Sequence, residues 1–197
     1  MTHDPAMARA TRRSRRLRTV VAAVLGTLAL AGCNTFEKPA PPAPCPRFAT
    51  VTDADTLTRF VGNGRDLTDV DFAAAIGQIQ GECSYATAGR VTMTLHVPFI
   101  AERGPGNKDG QASFDYFVAV ATTANEVPEG GRVAFSLVIP FHDQQTRNGG
   151  TEEIEQLIPL KPGDAGSNYI VYVGFALTEA ELAYNRQTPS APLAPKP

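Results

Sequence analysis

"GRVTMTLHVPF", Gly89–Phe99, returns forty-two residues later as "GRVAFSLVIPF", Gly131–Phe141. In the first copy Val91, Met93, Leu95, Val97 and Phe99 take every second position, with Arg90, Thr92, Thr94 and His96 between them. A period of two puts the five apolar side chains on one face of a β-strand and leaves the other face to water. Val133, Phe135, Leu137, Ile139 and Phe141 repeat the pattern. Each copy starts at glycine and closes near a proline, Pro98 or Pro140, that has no N–H to give to a sheet ladder. Each strand is therefore expected at an edge, bulged, or leaving its sheet at that point. Two copies are too few for a solenoid. The repeat reads as two equivalent long strands, one in each sheet of a sandwich or on either side of a pseudo-symmetric core.

The flanking sequence extends this plan. In "FAAAIGQIQGECSYA", residues 72–86, apolar side chains sit on even positions (Phe72, Ala74, Ile76) and then on odd ones (Ile79, Gly81, Cys83, Tyr85). A β-bulge near Gly77 would keep both halves on one core and turn Cys83 inward. "SFDYFVAVATT", 113–123, and "YIVYVGFAL", 169–177, are apolar on both faces, as central strands are. "EIEQLIPL", 153–160, offers a shorter strand ending near Pro159. Turn-rich stretches at Gly104–Gly110, Glu129–Gly131, Asn148–Gly150 and Pro162–Ser167 separate them. Thr178 with Glu181 three residues on forms a capping box for a short helix through about Arg186. The expected fold is an all-β, antiparallel, immunoglobulin-like sandwich of six or seven strands with a short C-terminal helix, a closed barrel being the alternative.

The N-terminus carries an address. Six arginines between Arg9 and Arg18 precede an apolar run from Val20 to Ala31, too short to cross a bilayer as a helix but suited to a secretory signal. The run closes on Leu30-Ala31-Gly32-Cys33, which resembles the bacterial lipobox. With the Pro-rich stretch that follows, Cys45-Pro46, Gly64-Arg-Asp-Leu-Thr-Asp69 and the β-rich remainder, the chain resembles a class of proteobacterial envelope lipoproteins of uncharacterised activity. That resemblance implies a signal peptide at 1–32, acylation of Cys33 and anchoring in a bilayer. Asn34, rather than Asp, after the cysteine favours the outer membrane with the domain facing the periplasm. Ser14-Arg15-Arg16 resembles a twin-arginine signal, but Leu17-Arg18-Thr19 lacks the aromatic and leucine expected downstream.

Residues 33–46 hold five prolines between Pro39 and Pro46 and read as an extended tether, reaching up to ~37 Å from the lipid at about 3.1 Å per residue. The domain proper is expected over 47–187, and 188–197 as a disordered Pro-rich tail. With Cys33 assigned to lipid, Cys45 and Cys83 are left as a disulfide pair in an oxidising compartment, two free thiols being the alternative. Loss of residues 1–32 removes six arginines and one aspartate, leaving 12 basic against 19 acidic side chains and a net charge of −7. So acidic a domain is a poor match for a nucleic-acid backbone or a polybasic lipid contact.

No pattern in the chain carries a recognisable chemistry. A nucleophile-elbow Gly-x-Ser-x-Gly does not occur, and no catalytic residue, cofactor or metal is assigned. His96 and His142, each beside a strand end, are the residues that a small-molecule, metal or acid/base site would use. Glu152, Glu153 and Glu155 lack the spacing of a calcium loop, and Asp53, Asp55, Asp66, Asp69 and Asp71 read as turn and loop carboxylates. Gly104-x-Gly106 joins two β patterns and precedes no helix that could receive a phosphate. Arg90 and Arg132 recur in the repeat; if they opened adjacent strands they would form an anion site, for instance for a peptidoglycan carboxylate. The expected function is a non-enzymatic interaction or structural module of the envelope, contacting an envelope protein or peptidoglycan. A small-molecule or metal-binding domain is the alternative.

Overall fold

The computed structural model describes residues 43–188. The expected signal peptide at 1–32, the expected lipidation site Cys33, most of the expected tether and the expected tail from 189 onward lie outside the described residues. Nine strands run in the order β1 (Arg47–Thr50), β2 (Thr56–Phe60), β3 (Val70–Ile76), β4 (Gln80–Ser84), β5 (Arg90–Arg103), β6 (Gln111–Thr122), β7 (Arg132–Pro140), β8 (Arg147–Pro159) and β9 (Tyr169–Phe175), followed by helix α1 (Glu179–Gln187). They form two sheets, one ordered β1-β9-β6-β7, the other β2-β3-β5-β4 with β8 also on β5. The fold is thus an all-β sandwich with one short C-terminal helix. Every ladder is antiparallel except β1 on β9, which is parallel.

Strand β5 is the spine of its sheet. Val91, Met93, Leu95, Val97, Phe99 and Ala101 are all buried to within 1% of full exclusion, so the alternation that predicted it continues two residues past Phe99, to Ala101, and the strand itself runs to Arg103. Phe99 meets the rings of Phe114, Tyr116 and Phe175 from the opposite sheet, with centroids 5.7, 4.7 and 5.9 Å away. This aromatic cluster bridges the two layers, and such pairs contribute about 0.5–1.5 kcal/mol each beyond area burial.

The phase slip at Gly77 is where β3 ends and β4 begins. Ile76 pairs with Phe99 and Gln80 with His96, so both strands lie along the same side of β5 with residues 77–79 bulging between them. Cys83 is turned toward the core as expected, and it is bonded to Cys45 with a Cα–Cα distance of 5.7 Å. Because Cys45 leads into β1 of one sheet and Cys83 sits on β4 of the other, the disulfide staples the two layers together. Tyr85 adds a second fastening: its hydroxyl donates to the Pro44 carbonyl and accepts from the Gly166 N–H at 3.0 Å.

Three expectations need correction. Asn148–Gly150, read as a turn, belongs to β8, where Gly149 pairs with Ile100; a Cβ there would stand 2.5 Å from the Phe99 carbonyl, which glycine avoids. The two copies of the repeat do lie in different sheets, but they are not equivalent. β5 is central, whereas β7 pairs with β6 alone and leaves Val133 and Val138 41% and 50% exposed. The short strands β1 and β2 carry no alternation long enough to read, and with the division of β3 from β4 they raise the count from six or seven to nine.

Helix α1 forms where the capping box predicts. The Thr178 hydroxyl accepts from the Glu181 N–H at 3.2 Å, and Glu181 Oε2 accepts from the Thr178 N–H at 2.8 Å. The helix lies along β2: Tyr184 meets Phe60 edge-on at 5.1 Å, Arg59 donates to Glu181 at 3.1–3.2 Å, and Asn185 Nδ2 donates to the Thr56 and Asp53 carbonyls at 2.8 Å.

Candidate functional site

An apolar cleft opens at one end of the sandwich, between the loop joining β6 to β7 and the end of β8. It holds about 360 Å³ and is walled by Val120, Val127, Pro128, Leu157, Leu160 and Tyr169, with Glu126, Glu129, Gln156 and Lys161 among its polar members. Val127 and Leu157 are 53% and 47% exposed, an unusual display for residues of this size so close together. Its walls come from four segments: the end of β6 at Val120 and Thr122, the Glu-Val-Pro-Glu-Gly-Gly turn at 126–131, the strand end at 156–161, and the start of β9. The Tyr169 hydroxyl donates to Asp164 Oδ2 at 2.8 Å. Burial first, and then the bond to Asp164, push the Tyr169 pKa above the ordinary tyrosine value.

A second hollow, about 320 Å³, lies on the outer face of the other sheet region between β6, β7 and α1. Here Arg132 lays its guanidinium 4.3 Å from the centre of the Phe117 ring. Arg186 pairs with Asp53 at 3.3 Å nearby. Arg90 is on the other sheet, opposite Pro159 at the start of β5. The adjacency that a joint anion site needed is absent, because the strands opened by Arg90 and Arg132 belong to different layers.

The remaining candidates are dispersed. His96 lies on the outer face of β5 with Nδ1 3.9 Å from Glu153 Oε2. His142 lies in the loop after β7, where its backbone N–H donates to the Gln145 side chain at 3.1 Å. That loop leads into Arg147, which pairs with Glu102, six residues and ~20 Å of extended strand from His96. Neither histidine lines a cleft described here. Alternation along β8 also divides the three glutamates: Glu153 and Glu155 point outward, whereas Glu152 points between the sheets toward Tyr116. Burial, with the Glu152 charge second, pushes the Tyr116 pKa up to about 12. Among the described residues no three His, Cys, Asp or Glu side chains are placed to hold a metal ion, and no helix is long and apolar enough to cross a membrane.

Sequence reasoning did not find the cleft. Val127-Pro128 inside a turn was its one visible trace, an apolar pair where loops are ordinarily polar. Leu157 was legible only as a strand residue. Compared with protein-family models, curated proteins and solved structures, the chain shows no significant match.

Proposed function

We propose that the protein is a periplasm-facing envelope lipoprotein, anchored through acylated Cys33, whose sandwich is a non-enzymatic interaction module. The exposed apolar cleft at Val127 and Leu157 carries this reading, with an apolar segment of another envelope protein as its occupant. A glycan strand would need hydrogen-bonding groups along its path; Glu126, Glu129, Gln156 and Lys161 supply some, but the greater part of the wall is apolar, from Val127, Pro128, Leu157 and Leu160. Three further features support export and anchoring: the basic-then-apolar N-terminus ending on the lipobox-like Leu30–Cys33, a disulfide of the kind that persists in oxidising compartments, and the fastening of Pro44 and Cys45 to the sandwich, through which a pull on the tether reaches both sheets.

The test is a photo-activated crosslinking side chain at position 127, and separately at 157, in the full-length protein expressed in cells. The expected result is one discrete adduct with an envelope protein, lost when Cys33→Ala releases the chain from the membrane. Absence of any adduct at both positions, together with co-sedimentation of the protein with purified peptidoglycan, would replace the protein partner with the wall polymer. Nothing in the placement of His96 and His142 favours the small-molecule or metal alternative.

A further inference from the structure

The sandwich has five strand edges, and four of them are guarded in recognisable ways. β2 is covered by α1 through Phe60–Tyr184 and Arg59–Glu181. β1 is four residues long, and β4 is five residues long and carries Glu82. β8 is long but bears Glu152, Glu153 and Glu155. Short length, charge and cover are the ordinary means by which an unpaired edge avoids joining another strand.

β7 is neither short nor covered along its length, Asn148 Nδ2 reaching only the Pro140 carbonyl at its end, at 2.7 Å. It runs nine residues with its one charge, Arg132, at the start and a proline at the end. Backbone bonds from the Val120 N–H to the Gly131 carbonyl at 2.6 Å and from the Phe141 N–H to the Gly110 carbonyl at 2.7 Å bracket the β6–β7 ladder and set its alternation. Val133, Phe135, Leu137 and Ile139 therefore bond to β6. Ala134, Ser136 and Val138 turn their N–H and C=O groups to the unpaired side, and all three residues are exposed. On the core-facing side Phe135 and Leu137 are partly covered rather than buried, although Phe135 stacks on Tyr116 at 5.2 Å.

We infer that β7 pairs antiparallel with β7 of a second copy of this chain, joining the β1-β9-β6-β7 sheets of two protomers into one continuous sheet. The strand is self-complementary about Ser136. In that register Ser136 faces its own equivalent, Ala134 faces Val138, Phe135 faces Leu137, Val133 faces Ile139 and Arg132 faces Pro140. The outward N–H and C=O groups of Ala134, Ser136 and Val138 fall opposite one another, apolar side chains meet apolar ones on the inner face and at Ala134–Val138 on the outer, and no like charges are opposed. Such an interface is isologous and closes at two chains. A partner with an unrelated sequence would have no reason to satisfy both faces at once. The pairing does not depend on the lipid anchor or on the cleft at Val127.

The register makes a sharp test in the full-length protein. Across an antiparallel hydrogen-bonded pair the two Ser136 Cα atoms would be about 5.5 Å apart, within the reach of a disulfide. Two copies of residue 134 would be four positions apart, ~13 Å, and out of reach. Ser136→Cys is therefore expected to give a covalent dimer on mild oxidation of intact cells, reversible by thiol, while Ala134→Cys stays a single chain. Light scattering in mild detergent is expected to find two chains per particle for the unaltered protein and one for Val138→Lys, whose position is half exposed in the single chain. A Ser136→Cys protein that stays monomeric, an Ala134→Cys protein that crosslinks equally well, a Val138→Lys protein that remains dimeric, or a trapped product containing a different polypeptide would each overturn the inference.

Discussion

Gly77 lies against the ring of Pro98: its N–H donates to the Pro98 carbonyl at 2.8 Å, and a Cβ at Gly77 would stand 3.2 Å from Pro98 Cγ. The N and O of a strand residue point the same way, so the nitrogen of Pro98, which has no hydrogen to donate, faces the β3–β4 bulge rather than β8. Each irregularity answers the other. Proline removes a donor where the neighbouring strand has bulged away, and glycine lets the backbone pass under the ring. Gly77→Val is expected to destabilise the fold by about 1–3 kcal/mol through overpacking, measured by denaturant unfolding. Pro98→Ala, which adds a donor facing the bulge, is expected to cost less than Gly77→Val.

The Cys45–Cys83 bond closes a loop across a sequence separation of 38 residues. In the chain-entropy picture such a loop stabilises by about 4 kcal/mol. Reduction, or Cys45→Ser with Cys83→Ser, is expected to lower the unfolding midpoint accordingly. A midpoint unchanged by dithiothreitol would show that the staple contributes nothing.

The two copies of the repeat differ in what surrounds them, and matched truncations should reveal it. Leu95 is fully buried in β5, whereas Leu137 in β7 is partly exposed. Leu95→Ala is expected to cost about 2–5 kcal/mol, the range for a buried leucine. Leu137→Ala in the single-chain Val138→Lys background is expected to cost clearly less. Equal losses would contradict the edge position of β7.

High pH should expose Tyr116. Its folded pKa is raised from 10.0 to about 12 by burial and by Glu152. The stabilisation is complete below pH 10 and is lost as pH rises through 12, because the unfolded chain releases this proton first. Tyr169, raised in the same direction, adds to the decline. Stability measured from pH 9 to 12 is expected to fall less steeply in Tyr116→Phe than in the unaltered protein.

Much of this fold was legible because alternation reports which side of a strand is dry. Val91 to Phe99, the slip at Gly77, the Thr178–Glu181 cap and the Cys45–Cys83 pair could each be read within a few residues or from counting cysteines. Alternation does not report what lies beside a strand. Val133 to Phe141 repeats the pattern of Val91 to Phe99, yet one strand is central and the other an edge, a difference set by where β8 pairs. β1 escaped for the same reason: Arg47–Thr50 is a strand because β9, more than a hundred residues later, lies beside it. The cleft was least visible of all, since Val127, Leu157 and Tyr169 come together only once both sheets have closed. The supposed partnership of Arg90 and Arg132 failed at the same level, as a sequence repeat says nothing about which layer each copy enters.

The anchored-module account is tested most directly by feeding expressing cells an alkyne-tagged palmitate and isolating the full-length protein and its Cys33→Ala variant. Label on the unaltered chain, recovered with membranes, and none on the variant, recovered in the soluble fraction, is the predicted result. An unaltered chain that is exported without label, or a variant that is labelled equally, would contradict it.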